Sequence, residues 1–567
     1  MKLVYLITPL LIGFSLTDFS QAQNQIDNRT TEFLGWDCQL VEKPTVIKGQ
    51  FIGMDPDSIE MEFGRLIYKH LIEGESQIHF FEVSEGGSFH IIFPLMRPQE
   101  IMITLPHHFG YVYAVPGKTT SFTFDVAISK KNADVNRDIK YKMPAPMTFN
   151  GDLAEFNNHF NQLIPLIREA FFWPDNKKIQ DSLDQMDYKK ARIKGMEKQL
   201  KEVSQYLDAN TCSESVGTFI KNKIRYNAYN DLMRYRWLKN MDNDRSRIDL
   251  TEEYRGFLNE ETLNNPNALL TEDFSSLMHE LNMDSYSQLK INYSEVYNLL
   301  EKAEVLEEED GDVLLMLDKM ESEGDPIQMD SVQKLTLKLY RKYDEFADYQ
   351  SRLVYENKLK NIVEMLPVGQ ARDIVASRHF LTIIQRNTTL TKKELQDAES
   401  LIQNPDLKDY IHKANENLEA LDGEELPGEV TVIEDLLPIG DKVLEKLVKP
   451  YRGKIVYIDF WAPWCGPCIS EMRRSGEARK ELKEMGVVFL YLGVNCEKDS
   501  WERAIKKYDI TGEHYLTDGR EYNILSGKFN IGGIPRYMLI DRSGKVVNDN
   551  APRPSQTREL MEALSKL

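Results

Sequence analysis

Cys465 and Cys468 stand three residues apart in the segment YIDFWAPWCGPCISEM, and they are two of only five cysteines in a chain of 567 residues. Two thiols at this spacing can exchange a disulfide with another molecule, supply half of a zinc site, or simply pack. A thiolate rather than a thiol attacks a disulfide, so a working cysteine needs a lowered pKa. The run Lys454–Phe460 reads as a strand and the residues after Cys465 as a helix. Cys465 then sits where unpaired backbone N–H groups and the helix dipole favour negative charge, which makes it the nucleophile. Cys468, one turn further in, is the thiol that resolves the mixed disulfide. Gly466 and Pro467 restrict the loop between them, and a proline in the first helical turn costs no hydrogen bond. Zinc needs two further ligands. Cys496 and His514 are the candidates in this part of the chain, and neither belongs to a second paired motif, so no stable metal is expected.

The elements around the pair alternate. A helix over DKVLEKLVKP precedes the strand KIVYIDF. A helix through EMRRSGEARKELKEM, a buried strand VVFLYLGV and a helix in SWERAIKKY come after it. RYMLID and KVV pair around the turn Arg542-Ser543-Gly544, and TRELMEALSKL closes the chain as a helix. This predicts an α/β layer with a mixed sheet over residues 430–567.

The residues ahead of it differ in pattern. From Thr45 to Val126, short alternating runs (TVIKGQFIG, DSIEMEF, QIHFFEV, SFHIIF, EIMITL, YVYAV, SFTFDV) are separated by turn residues, which predicts a β-sandwich-like domain within 23–150. His107 and His108 are read as loop residues between strands. From Asp152 to Leu421 amphipathic stretches take over. Ile193, Met196, Leu200, Val203 and Leu207 fall on one helical face. The stretches YSEVYNLLEKAEVLEEE, KKELQDAESLIQ and residues 332–366 read likewise, giving an α-helical region over 151–425. Pro165, Pro174, Pro266, Pro326 and Pro367 are its expected breaks. The acidic run Leu306–Asp312 reads as a solvated loop. LDGEELPGEV, Leu421 to Val430, marks the boundary before the last domain.

YIDFWAPWCGPC, together with Ile534-Pro535 in GGIPRY, resembles the thioredoxin superfamily. The segment inserted between Cys496 and Phe529 and the position at the end of a long chain are similar to the TlpA/ResA-type branch of envelope thiol–disulfide oxidoreductases. The resemblance covers residues 430–567 and implies a thioredoxin-like fold and a redox-active Cys465–Cys468 pair. It implies that Asp459, flanked by the apolar Ile458, Phe460 and Trp461, is a buried carboxylate that accepts the proton of Cys468. It implies a cis peptide at Ile534-Pro535 beside the cysteines, with Trp464, Gly466, Pro467, Ile534 and Pro535 meeting the substrate. Gly-Pro between the cysteines resembles the reducing members. The same resemblance implies oxidised envelope proteins, apocytochrome c included, as clients and a membrane thiol as electron donor, with no cofactor. Many relatives continue EMP after the motif, whereas Met472 here is followed by Arg473 and Arg474, so the proline kink of that helix is missing.

Composition sets the rest. Hydrophobic residues at 41% and charged residues at 28% are those of globular protein, and a formal charge of −20 without a basic patch excludes nucleic acid as a partner. Lys2, the apolar run Leu3–Leu16 and small residues ending at Ala22 have the layout of a secretory signal (1–22). About 14 apolar residues fall short of the roughly 20 that span a membrane. The expectation is cleavage after Ala22 and export to the periplasm or cell envelope, where disulfides persist. Cys38 and Cys212 are a possible structural pair. Two rival readings stand beside the reductase: a thiol peroxidase of the same superfamily, disfavoured by the paired cysteines, and a binding or scaffold protein whose first 425 residues bind a partner while the redox domain is accessory.

Overall fold

The computed structural model describes residues 36, 39–53, 63–74, 76–105, 108–133, 144–169, 179, 182–238, 248–285, 291–323, 332, 335–336, 338–339, 342–433 and 442–567. The signal with its cleavage after Ala22, Cys38 and its pairing with Cys212, His107, Pro174 and Pro326 lie outside them.

Two four-stranded sheets form the N-terminal part. One has the order β4-β1-β7-β8, from strands β1 (Lys43–Ile52), β4 (Ser88–Leu95), β7 (Thr119–Asp125) and β8 (Met147–Asn150). The other has the order β3-β2-β5-β6, from β2 (Phe63–Lys69), β3 (Ser76–Glu82), β5 (Gln99–Leu105) and β6 (His108–Ala114). Alternation puts Ile47, Phe51, Phe89, Phe122 and Phe124 of the first sheet against Leu66, Phe81, Ile101 and Val112 of the second, in one core. His108 is the first residue of β6 rather than a loop residue.

The sandwich shares its packing with the helices after it. Tyr113 of β6 packs between Phe156 and Phe219, with ring centroids at 4.4 and 4.7 Å, and its hydroxyl donates to the Leu270 carbonyl at 2.9 Å. These partners belong to the helical region: α1 (Val126–Ala133), α2 (Ala154–Glu169), α3 (Gln185–Ala209), α4 (Glu214–Leu238), α5 (Glu272–Asp284), α6 (Tyr293–Lys302), α7 (Glu308–Glu323), α8 (Asp344–Met365), α9 (Gln370–Gln385), α10 (Lys392–Leu401) and α11 (Pro405–Ala420). One continuous core runs from Trp36 and Leu71 through α2–α5 and α8–α11 to Leu418, while α6 and α7 pack with Tyr343, Phe346 and Tyr349 in a separate cluster.

Several helix boundaries differ from the sequence reading. Pro165 lies inside α2 and does not break it. Burial of Phe160, Leu163, Ile164 and Ile167 on the inner face of α2 outweighs a loss of about 3 kcal/mol for an internal proline. The acidic run is not a loop but the entry to α7: Glu308, Glu309 and Asp310 lie in its first turn, where the helix dipole favours negative charge. Asp310 is buried and accepts from the Tyr343 hydroxyl at 2.7 Å. The stretch 293–309 is therefore two helices rather than one.

The C-terminal domain is a six-stranded mixed sheet of order β14-β13-β10-β11-β12-β9, with β9 at Val430–Val432, β10 at Val456–Trp461, β11 at Val488–Gly493, β12 at Gly512–Leu516, β13 at Arg536–Ile540 and β14 at Val546–Asn548. Its helices are α12 (Val443–Val448), α13 (Gly466–Arg474), α14 (Gly476–Glu484), α15 (Lys498–Tyr508), α16 (Gly519–Phe529) and α17 (Thr557–Leu564). Val456, Ile458 and Phe460 face the core containing α12 and α16. Tyr457 and Trp461 face the core of α13, α14, α15 and α17. β10 is buried at every position, which is why its sequence reads as an almost unbroken apolar run.

The sandwich and the helices are also joined by charge. Lys223 of α4 contacts Glu100 of β5 at 2.7 Å and Asp273 of α5 at 2.8 Å. Burial opposes the ammonium, but the two carboxylates outweigh it and hold its pKa above the usual lysine range. Removing one partner of a buried ion set leaves charge uncompensated, at about 3–5 kcal/mol. Lys223→Met is therefore expected to destabilise the N-terminal 420 residues by about that amount. Denaturant unfolding followed through this region checks it; a loss under about 1 kcal/mol would show that water satisfies the two carboxylates.

Candidate active site

Strand alternation decides which face of β10 the carboxylate takes. Asp459 shares the face of Tyr457 and Trp461, the face against which α13 packs. It is 4% exposed, and its Oδ1 has no hydrogen-bond partner among the described residues. Burial pushes its pKa up to about 8; Arg479 opposes this and Glu471 adds to it. The sequence expectation of a buried carboxylate on this strand is met, because helices cover both faces of β10 and α13 packs over the face that carries Asp459.

After Trp461 the chain turns, with the Cys465 N–H donating to the Ala462 carbonyl at 3.0 Å, and α13 begins. Cys465 is the residue that caps it: the N–H of Cys468 donates to Cys465 Sγ at 3.2 Å. An orphan N–H of the helix start is thus aimed at the sulfur, which is the arrangement that favours a thiolate. Cys465 and Cys468 are joined as a disulfide, with Cα atoms 5.2 Å apart. The two residues are 4% and 1% exposed, while Trp464, Gly466 and Pro467 around them are exposed. Only the rim of the motif is open to solvent. No atom lies within 4 Å of the position a Gly466 Cβ would take. The Trp464 indole donates to the Asn495 carbonyl at 2.8 Å, so the ring is held beside the motif rather than free.

Ile534-Pro535 is a cis peptide at the start of β13, antiparallel to β10. Ile534 and Pro535 are partly exposed, and Ile534 packs against the core that contains both cysteines. The structure therefore brings Cys465, Cys468, Asp459, Trp464, Gly466, Pro467, Ile534 and Pro535 to the end of β10 and the strand beside it.

Other groups near Asp459 were not singled out by the sequence reading. Glu471, on α13, is 4% exposed and accepts the Ser555 N–H at 2.7 Å. Its signal was available: three residues after Cys468, it lies on the same side of the helix. Arg479 donates to the Tyr491 hydroxyl at 3.1 Å and the Met472 carbonyl at 2.6 Å. It could not be placed, because the helix expected through Glu471–Met485 is broken at Ser475 into α13 and α14. Without a proline to bend it, the helix is interrupted where the Ser475 hydroxyl donates back to the Glu471 carbonyl at 2.8 Å. Arg473 lies over the Tyr508 ring at 5.1 Å.

Cys496 packs against the core that contains the pair. Cys496 is free and partly buried, and burial pushes its thiol up to about 12. The His514 ring contacts the Ile510 carbonyl at 2.8 Å. Among the described residues no cluster of His, Cys, Asp and Glu has the arrangement of a metal site, and no helix is long and apolar enough to cross a membrane.

Comparison with known proteins agrees with the geometry. Residues 423–565 match the Redoxin family. Over 115 residues the chain is 31% identical to the thiol-disulfide oxidoreductase ResA of a Bacillus cereus strain, which covers 20% of this chain and 64% of that protein. Over 102 residues it is 33% identical to ResA of Geobacillus kaustophilus, covering 18% and 57%. The chain thus spans less than two thirds of the length of these two curated relatives. Among solved structures, the thioredoxin domain of a thiol-disulfide oxidoreductase from Bacteroides vulgatus is similar at 22% identity over 21% of this chain and 82% of that one, with a TM-score of 0.19. The disulfide capping a helix, the buried carboxylate on the preceding strand and the matched Redoxin segment together support a TlpA/ResA-like domain of the thioredoxin superfamily over residues 423–565.

Proposed function

We propose that the chain is an exported thiol-disulfide oxidoreductase that reduces protein disulfides in the cell envelope. The observation that carries this reading is the capped disulfide itself: the Cys468 N–H is directed at Cys465 Sγ, beside a carboxyl group raised to about 8.

In the reduced enzyme the Cys465 thiolate attacks one sulfur of a client disulfide. A Cys465–client bond forms, and the other client sulfur leaves as a thiolate that takes a proton. Cys468 then loses its proton to the Asp459 carboxylate, through water if needed, and attacks Cys465 Sγ. The client leaves with two thiols, and the Cys465–Cys468 bond has taken the oxidation. Two electrons from a membrane thiol donor restore the dithiol. Trp464, Gly466, Pro467, Ile534 and Pro535 form the surface on which an extended client segment lies. Oxidised envelope proteins, including apocytochrome c, are the client class. The signal-like layout of residues 1–22 supports export, and outside the cytosol such a pair meets a steady supply of disulfides.

Cys468→Ser is expected to accumulate covalent mixed disulfides through Cys465, visible on non-reducing gels and lost on adding dithiothreitol. Cys465→Ser should trap nothing. Peroxide consumption persisting in Cys468→Ser would instead favour a thiol peroxidase, and normal cellular function after loss of both thiols would favour a scaffold.

Asp459 has a pH signature. As a base it must be ionised, so the resolution step should accelerate as pH rises through about 8. Asp459→Asn should flatten that profile and slow resolution by about 10²-fold. Stability runs the other way. The folded state holds a proton that an unfolded Asp loses near 3.9, so the oxidised domain should lose stability as pH rises from about 4 to about 8. Asp459→Asn should remove that loss, and thermal unfolding at pH 5 and pH 8.5 reads it; equal pH slopes in both proteins would contradict the raised carboxyl.

A further inference from the structure

The helical region touches the redox domain at the loop leading into the disulfide. After α9 ends at Gln385, the chain turns through Arg386 and Asn387. Asn387 is fully buried and left-handed, with φ 60°. Its Nδ2 donates to the Pro463 carbonyl at 3.4 Å, two residues ahead of Cys465. Its own carbonyl accepts from Arg503 of α15 at 3.3 Å. The same guanidinium holds Asp422, just after α11, at 2.6 and 2.9 Å. Ser500 donates to the Arg386 carbonyl at 2.7 Å, and Lys506 to the Leu421 carbonyl at 2.9 Å. Ser500, Arg503 and Lys506 are three residues apart, so one face of α15 carries the whole junction. α15 is itself seated close to the sheet: Trp501 lies 2.6 Å from where a Gly493 side chain would begin.

A left-handed asparagine after a helix has an ordinary explanation as its cap, a role glycine serves as well. Two facts go beyond that. The amide is turned onto a carbonyl of a different region, and its Oδ1 is buried with no partner among the described residues. A cap alone needs neither the side-chain donor nor its contact with Pro463.

We infer that Asn387 is a positioning residue for the redox loop: by fixing the Pro463 carbonyl it keeps the 463–464 peptide from rotating its oxygen toward Cys465, and so favours the thiolate. The inference rests on the reading of Cys465 as the attacking thiol. A carbonyl oxygen carries partial negative charge, and bringing it near a thiolate disfavours ionisation. The consequence reaches the redox equilibrium. Two glutathione thiols reduce the Cys465–Cys468 bond, giving one glutathione disulfide and two protein thiols. Two electrons move, and stabilising the thiolate pulls the exchange toward the reduced protein.

The test is Asn387→Gly in the full chain, which keeps the left-handed turn and removes only the amide. Alkylation of the reduced protein by iodoacetamide, followed by mass spectrometry of the Cys465 peptide across pH, reads ionisation. Equilibration with glutathione reads the redox balance. The expected result is an alkylation profile moved to higher pH and an exchange shifted about threefold toward the disulfide, the size of one neutral hydrogen bond. Arg503→Ala should move both in the same direction, and the double variant should add nothing beyond Asn387→Gly. An Asn387→Gly protein matching the parent in both readouts would overturn the inference and leave Asn387 as a cap. Both are measured on the dithiol itself, so a parent protein that reduces no protein client would sink the proposed function and leave this result standing.

Discussion

The C-terminal domain is organised around the direction of one backbone N–H. Because Cys465 caps α13, the Cys468 N–H meets a sulfur instead of a carbonyl or a Ser oxygen, and the helix start is satisfied by the group that does the chemistry. That contact needs the helix to begin immediately after a strand, so β10 must end at Trp461 and the turn through Ala462 and Pro463 must hold its shape. It needs both cysteines shielded, which the packing of α13, α15 and α17 against one face of the sheet supplies. The same burial strips water from Asp459 and raises its pKa, so helix capping and carboxyl tuning have a common origin in one apolar layer.

The upstream half is a second consequence of packing rather than a passive extension. Tyr113 inserts from the sandwich into the helices, and Lys223 holds a carboxylate from each. The helices in turn grip α15 through Asp422 and Asn387. Buried contacts thus connect the sandwich, through the shared core and Asn387, to the Pro463 loop.

How much of this could be read from residues alone depended on range. The cysteine pair, the buried strand carrying Asp459 and the strand–helix alternation are local patterns, and each was legible. The cis bond at Pro535 was legible only through the resemblance, since an isolated Ile-Pro carries no such preference. β8, β9 and β12 escaped, whereas β13 and β14, equally short, were legible because the turn Arg542-Ser543-Gly544 joins them as a hairpin. Pro165 and the acidic entry to α7 misled because local rules were overridden by a buried face in one case and by Tyr343 and Lys342 around Asp310 in the other. Glu471 was visible by spacing and went unweighed. Arg479 and Asn387 reach the site from beyond a helix break and from another region, and no local signal places such residues.

β9 gives the junction a further property. It begins at Val430 and runs parallel to β12 at the sheet edge, while the preceding short helix ends at Gly423. Six residues separate the two anchored ends, a contour of at most about 20 Å. A linker this short acts as a concentration rather than a tether: even when the Asp422–Arg503 contacts open, the helical surface stays within molecular reach of the disulfide, and rebinding is intramolecular. The junction and the disulfide thus stay at a high mutual local concentration.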